Sequence, residues 1–357
     1  MTIALPDPSV VSSSGSTTID SVTSGRRSRR RRLYTVCGVL VTLNIALFAA
    51  MLMFGNTFYP PGDVLSVILG QEVQGASFTV GELRLPRGVT AIVVGACFGM
   101  AGVSFQILLR NSLAAPDIVG ISDGAGAAAV FAILMLDLSP NAVAVFAVVG
   151  GLVTAAVIYV LAYVDGMVGT RLILMGIAIS AMLQAFISYL IVRAAQWDLQ
   201  VAMRWLTGSL NASRWEATVP VVLACMFLMP LLLAQSRKLD LMRHGEDTAS
   251  ALGVNVERTR VVVIIVAVAL IALATSAAGP IAFVAFLAGP IAAQMVGGSQ
   301  PLMIPSALVG MTLVLASDLV GQYLFQTRFP VGVITGVMGA PYLVYLLIRL
   351  HRAGSAL

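Results

Sequence analysis

Eight stretches of strongly apolar residues, at about 33–54, 88–109, 118–136, 141–164, 172–192, 217–236, 302–324 and 331–348, carry at most one charge each. Each has roughly the 20 residues that a helix needs to cross a bilayer. Hydrocarbon offers no partner to a backbone N–H or C=O, so such stretches have to be helices that satisfy their own hydrogen bonds. A ninth stretch, 261–297, is also uncharged but too long for one crossing, and Gly279-Pro280 and Gly289-Pro290 break it. Two passes fit it, the second short and kinked. With 59% hydrophobic and 10% charged residues in 357, the chain reads as all-α and polytopic, with about ten transmembrane helices and both termini on one side.

Cationic residues give the orientation. Placing the N-terminus in the cytoplasm puts fifteen of the 21 Lys and Arg residues on the cytoplasmic side. Arg84, Arg87, Arg193, Arg204, Arg214 and Arg328 are left outside. Trp197, Trp205 and Trp215 all fall in the outer segment between the fifth and sixth spans, where an interfacial aromatic belt is expected.

Residues 1–32 are rich in Ser and Thr and end in the run Arg26-Arg27-Ser28-Arg29-Arg30-Arg31-Arg32. They read as a disordered cytoplasmic tail with an electrostatic anchor for anionic lipid, ahead of a transmembrane domain at 33–357. Cys37, Cys97 and Cys225 lie inside apolar spans and read as packing residues. His244 and His351 are far apart, and no His/Cys/carboxylate spacing suggests a metal site. There is no glycine-rich phosphate loop, so the chain is not an ATPase and is expected to bind no cofactor of its own; any ATP is hydrolysed by another subunit. Nothing points to nucleic acid.

The longest charged stretch between spans is 236–258. Its core, Gly245-Glu246-Asp247-Thr248-Ala249-Ser250-Ala251-Leu252-Gly253, predicts a short amphipathic helix. Thr248 or Asp247 would cap it, Ala249 and Leu252 would share a face, and Gly253 would end it.

Several separate motifs, in order, carry a family resemblance. They are Glu82-Leu83-Arg84-Leu85-Pro86-Arg87, the run from Leu109 to Gly126, Trp205-Leu206-Thr207-Gly208-Ser209-Leu210-Asn211, the segment from Gly245 to Arg260, Gly279-Pro280-Ile281-Ala282-Phe283-Val284 and Phe329-Pro330-Val331-Gly332. From about residue 33 onward the chain resembles the permease subunits of bacterial iron-siderophore and vitamin B12 ABC importers, the enterobactin type in particular. The resemblance implies the type II ABC importer permease fold. It also implies a second permease subunit (a paralogue or a second copy), two cytoplasmic ATPase subunits, an extracytoplasmic siderophore-binding protein and a ferric siderophore as cargo.

By the same resemblance, Gly245, Glu246, Asp247, Ala249, Leu252 and Gly253 couple the chain to the ATPase. Arg84 and Arg87 dock the binding protein, with Arg328 standing in for a third docking arginine that Gln322 replaces. The alternative for Arg84 and Arg87 is snorkelling to lipid headgroups. Asn111, Leu113 and Pro116 fall where the family has a cytoplasmic gate, although ordinary turn chemistry explains them too. Asp123 and Asp318 are carboxylates beside apolar runs; function is the default for such groups, and an Asp318–Gln322 polar pair is the structural alternative. Two other functions stay open: a permease of the same kind for vitamin B12 or haem, and an ion-coupled secondary transporter, which would need coupling carboxylates at mid-membrane.

Overall fold

The computed structural model describes residues 8–116, 120–163, 169–297 and 300–354. Among these, fourteen α-helices and one π-helical segment, Ser77–Arg84, form the chain, with no strand. The helices are α1 (Pro8–Met53), α2 (Pro61–Ile68), α3 (Leu85–Leu108), α4 (Ile121–Leu134), α5 (Pro140–Ala162), α6 (Gly169–Arg193) and α7 (Gln196–Leu206). After them come α8 (Trp215–Ala234), α9 (Ser236–Met242), α10 (Glu246–Ala251), α11 (Val256–Ala278), α12 (Val284–Val296), α13 (Met303–Tyr323) and α14 (Val331–Gly354).

Eight helices are long and apolar enough to cross a membrane, and α4 and α12 are shorter apolar helices, so each of the ten predicted segments contains an apolar helix. The uncharged stretch at 261–297 does divide, into α11 and α12. Gly279, at φ +71°, ends α11. Both short helices begin inside the bundle on a left-handed residue, Gly120 (φ +83°) for α4 and Phe283 (φ +66°) for α12.

α3 is the hub, with 89% of its most apolar window buried. It packs against α8, α11, α12 and α13, and its glycines allow the approach. A Cβ at Gly99 would collide with the backbone of Ser306, and one at Gly102 with that of Ala285. Side-chain amides join helices where apolar packing cannot set register. Asn44 donates to the Leu308 carbonyl at 3.1 Å and Gln106 to the Phe286 carbonyl at 3.0 Å. Cys97 and Cys225 are buried and 3.3 Å apart across α3 and α8, which agrees with their reading as packing residues.

α1 continues back through the basic run. Arginine is a good helix former, and a helix already nucleated in the membrane extends at low cost. Arg32 also donates to the carbonyls of Met295 and Gln294, at 2.8 and 3.1 Å, which satisfies the end of α12. The three tryptophans have different surroundings. Trp197 is exposed, Trp205 packs near Ala125 and Val143, and Trp215 donates to the Gly81 carbonyl at 2.9 Å.

Candidate functional site: the two ends of the bundle

At the end of the bundle where α1 finishes and α3 starts, a cleft of about 380 Å³ is lined by Arg84, Arg87, Arg328, Asn211 and Gln322, among others. All three arginines singled out in the sequence therefore meet in one place. Their lining carries three guanidinium groups, with a single carboxylate, Asp318, behind them.

Each arginine is held differently. Arg84 donates to the carbonyls of Leu52, Met53 and Thr57 at 2.8–2.9 Å and stacks over Tyr59, so it closes the end of α1. Arg87 grips Asp318 through two bonds, Nε to Oδ2 at 2.8 Å and Nη2 to Oδ1 at 2.7 Å, and its Nη1 donates to Asn211. The Asp318 side chain is 2% exposed and that of Arg87 16%. A buried carboxylate so deep needs such a partner. Gln322 donates to the same carboxylate at 3.2 Å, so the expected Asp318–Gln322 pair exists, but Arg87 is the main contact and sequence spacing could not show it across 231 residues. Arg328 is exposed and bonds Asn56.

Three motifs converge next to this cleft. The Ser209 N–H donates to the Ala278 carbonyl at 2.7 Å, and the Gly332 N–H to the Gly208 carbonyl at 3.1 Å. Gly208 (φ +67°) and Gly279 are in contact, and a Cβ at Gly208 would strike the Pro280 backbone. The segments around Gly208, Gly279-Pro280 and Pro330-Val331-Gly332 are therefore one packed junction, and Asn211 extends from it to Arg87.

The opposite end gathers Arg110, Arg243, Arg260 and the α9–α10 segment. α10 differs from its prediction in two ways. Its N-cap is Gly245 with no side-chain cap, and Glu246 and Asp247 occupy the first turn, where negative charge is favoured. Ala249 is fully buried against Met242 and Val254, while Leu252 is 61% exposed. The helix stops at Ala251, and Leu252 as its C-cap has already left the helical face. Glu246 pairs with Arg260 at 2.8 Å and Arg110 at 3.7 Å, while Asp247, Thr248, Ser250, Ala251, Leu252 and Gly253 are exposed and form the open face.

Beside it, a cleft of about 330 Å³ is lined by Gln106, Arg110, Asn111, Arg243 and Pro290, among others. Asn111 Oδ1 accepts the Leu113 N–H at 2.9 Å, which closes the turn after α3. Leu113 is half-buried against Phe286, Leu287 and Leu346, and Pro116 is buried. Residues 117–119, which finish this motif, lie outside the described residues. Asp123 accepts from Ser180 and, at 3.4 Å, from Gln184, which links α4 to α6. At the foot of the same end, Tyr163 donates to Glu257 at 3.0 Å, and this bond raises the phenol's pKa.

Comparison with known proteins places this geometry. The chain is 37% identical over 326 residues to the ferric enterobactin transport system permease protein FepG of Escherichia coli (strain K12), covering 90% of this chain and 98% of that one. It is 35% identical over 324 residues to the Fe(3+)-citrate import system permease protein YfmE of Bacillus subtilis (strain 168), covering 90% and 96%. A solved metal-chelate type ABC transporter in an inward-facing conformation superposes with a TM-score of 0.79 at 26% identity, covering 88% of this chain and 99% of that one. Residues 42–349 match the FecCD transport family, and the chain belongs to that family.

Proposed function

We propose that this chain is the membrane-spanning permease subunit of an ABC importer that carries intact ferric-siderophore complexes into the cytoplasm. The observation that carries the reading is its 37% identity, over nine-tenths of its length, to a ferric enterobactin permease. A second permease chain, two ATPase subunits and an extracytoplasmic binding protein complete the machine. The α9–α10 end, where the basic residues Arg32, Arg110, Arg243 and Arg260 collect, faces the cytoplasm, in keeping with the excess of positive charge there. The open face of α10 then meets the ATPase. The cleft of Arg84, Arg87 and Arg328 faces outward and receives acidic side chains of the binding protein, with Asp318 and Asn211 fixing the Arg87 head at its rim. Asn111, Leu113 and Pro116 close the inner end of the pathway.

A strain lacking this chain should fail to grow under iron limitation on its own siderophore and recover on a chelate that enters by another system. Unimpaired siderophore uptake together with lost cobalamin or haem uptake would overturn the cargo assignment.

A further inference from the structure

α3 ends in a Schellman motif. The Asn111 N–H donates to the Gln106 carbonyl at 3.1 Å and the Arg110 N–H to the Ile107 carbonyl at 3.2 Å. In that motif the residue after the cap is left-handed, a position that glycine fills at least cost. Here it is Arg110, at φ +47°, one of three non-glycine residues with positive φ among the described residues. A long charged side chain sits where the backbone favours none, and such an outlier points to a use for the side chain.

The guanidinium reaches Glu246, at the first turn of α10, at 3.7 Å. Arg110 and Glu246 are half exposed, 50% and 45%, and a pair so exposed and so long adds little stability. Arg260, only 15% exposed and 2.8 Å from the same carboxylate, is the contact that fixes Glu246 in place. Leu108, on the last turn of α3, packs against Met242, Ala249 and Val254 beneath α10. The end of α3 therefore meets the apolar cluster beneath α10 and, through an exposed charge pair, the first turn of α10 itself. The turn that follows Arg110 holds Asn111 and Leu113.

We infer that Arg110 is the positioning residue through which displacement of α10 moves the turn after α3, with Glu246 serving as its partner inside the chain and not as a contact to the ATPase. The inference rests on the reading of α10 as the ATPase-facing helix. It assigns Asp247 and Leu252 to the outer partner and Glu246 to the inner one.

Arg110→Gly tests it, because glycine suits the left-handed backbone while removing the guanidinium. The complete importer, with its ATPase and binding protein, is reconstituted in liposomes, and chelate imported per ATP hydrolysed is measured. ATPase co-purification and the unfolding midpoint are recorded for each variant. For Arg110→Gly we expect an unchanged or higher midpoint, unchanged ATPase recruitment and at least a fivefold fall in chelate moved per ATP; Arg110→Lys should restore at least half. Unchanged chelate per ATP in Arg110→Gly would overturn the inference. So would a lower midpoint or lost ATPase, since either would assign Arg110 to structure. If the wild-type chain recruits no ATPase, the underlying reading fails, and that result is distinct from a coupled wild type with an equally coupled variant.

Discussion

The Arg87–Asp318 pair joins the start of α3 to the end of α13 and is the most deeply buried ion pair among the described residues. Removing one member strands the other charge, which typically costs about 3–5 kcal/mol, whereas replacing both with apolar groups is often near neutral. Asp318→Ala should therefore lower the unfolding midpoint in detergent strongly, and Arg87→Met combined with Asp318→Leu should recover most of the loss. A double-mutant cycle with no coupling between the two sites would contradict the pairing. Asp240, on α9, behaves in the opposite sense. Burial raises its carboxyl above the ordinary value, outweighing the lowering by Arg243 and His244. The folded chain then keeps a proton that the unfolded chain releases, so this group's contribution to stability falls as pH rises from the ordinary carboxylate value through the raised one. Asp240→Asn should stabilise the protein by less than about 1 kcal/mol at pH 7–8, with the advantage vanishing under acid conditions; urea titrations at two pH values check the sign.

Among elements, α3 and α10 carry the sharpest expectations. Gly102→Leu forces the Ala285 backbone away and should cost more than the roughly 1–3 kcal/mol usual for overpacking, since backbone has to move. Gly336→Ala on α14, with open space around it, should be neutral or slightly stabilising by the helix-propensity difference of about 1 kcal/mol. The same thermal assay reads both. On the open face of α10, Asp247→Arg with Leu252→Asp should abolish ATPase co-purification while leaving membrane insertion intact. The long spans were legible because 20 apolar residues in lipid allow little else, and the break at Gly279-Pro280 showed where α11 ends. The face of α10 was not legible, because a six-residue helix has too few turns for periodicity to decide which side is covered. Ala249 and Leu252, expected on one face, divide, Ala249 being buried and Leu252 exposed.

For the molecule as a whole, charge sorting along the sequence anticipated the two ends. Arg84, Arg87 and Arg328 line one cleft, while Arg32, Arg110, Arg243 and Arg260 meet at the other end. Contacts over long sequence distances stayed hidden, including Arg87 with Asp318 and the junction of Gly208, Gly279-Pro280 and Gly332. Each depends on helix order in space, which no local pattern encodes. The central claim is that the chain moves a whole ferric chelate under ATP control, and dual-label uptake into liposomes holding the assembled importer tests it most directly. Iron-labelled and ligand-labelled siderophore should enter in equal amounts, and only when ATP and the loaded binding protein are both present. Iron entering without its ligand, or uptake driven by an ion gradient in the absence of ATP, would contradict it.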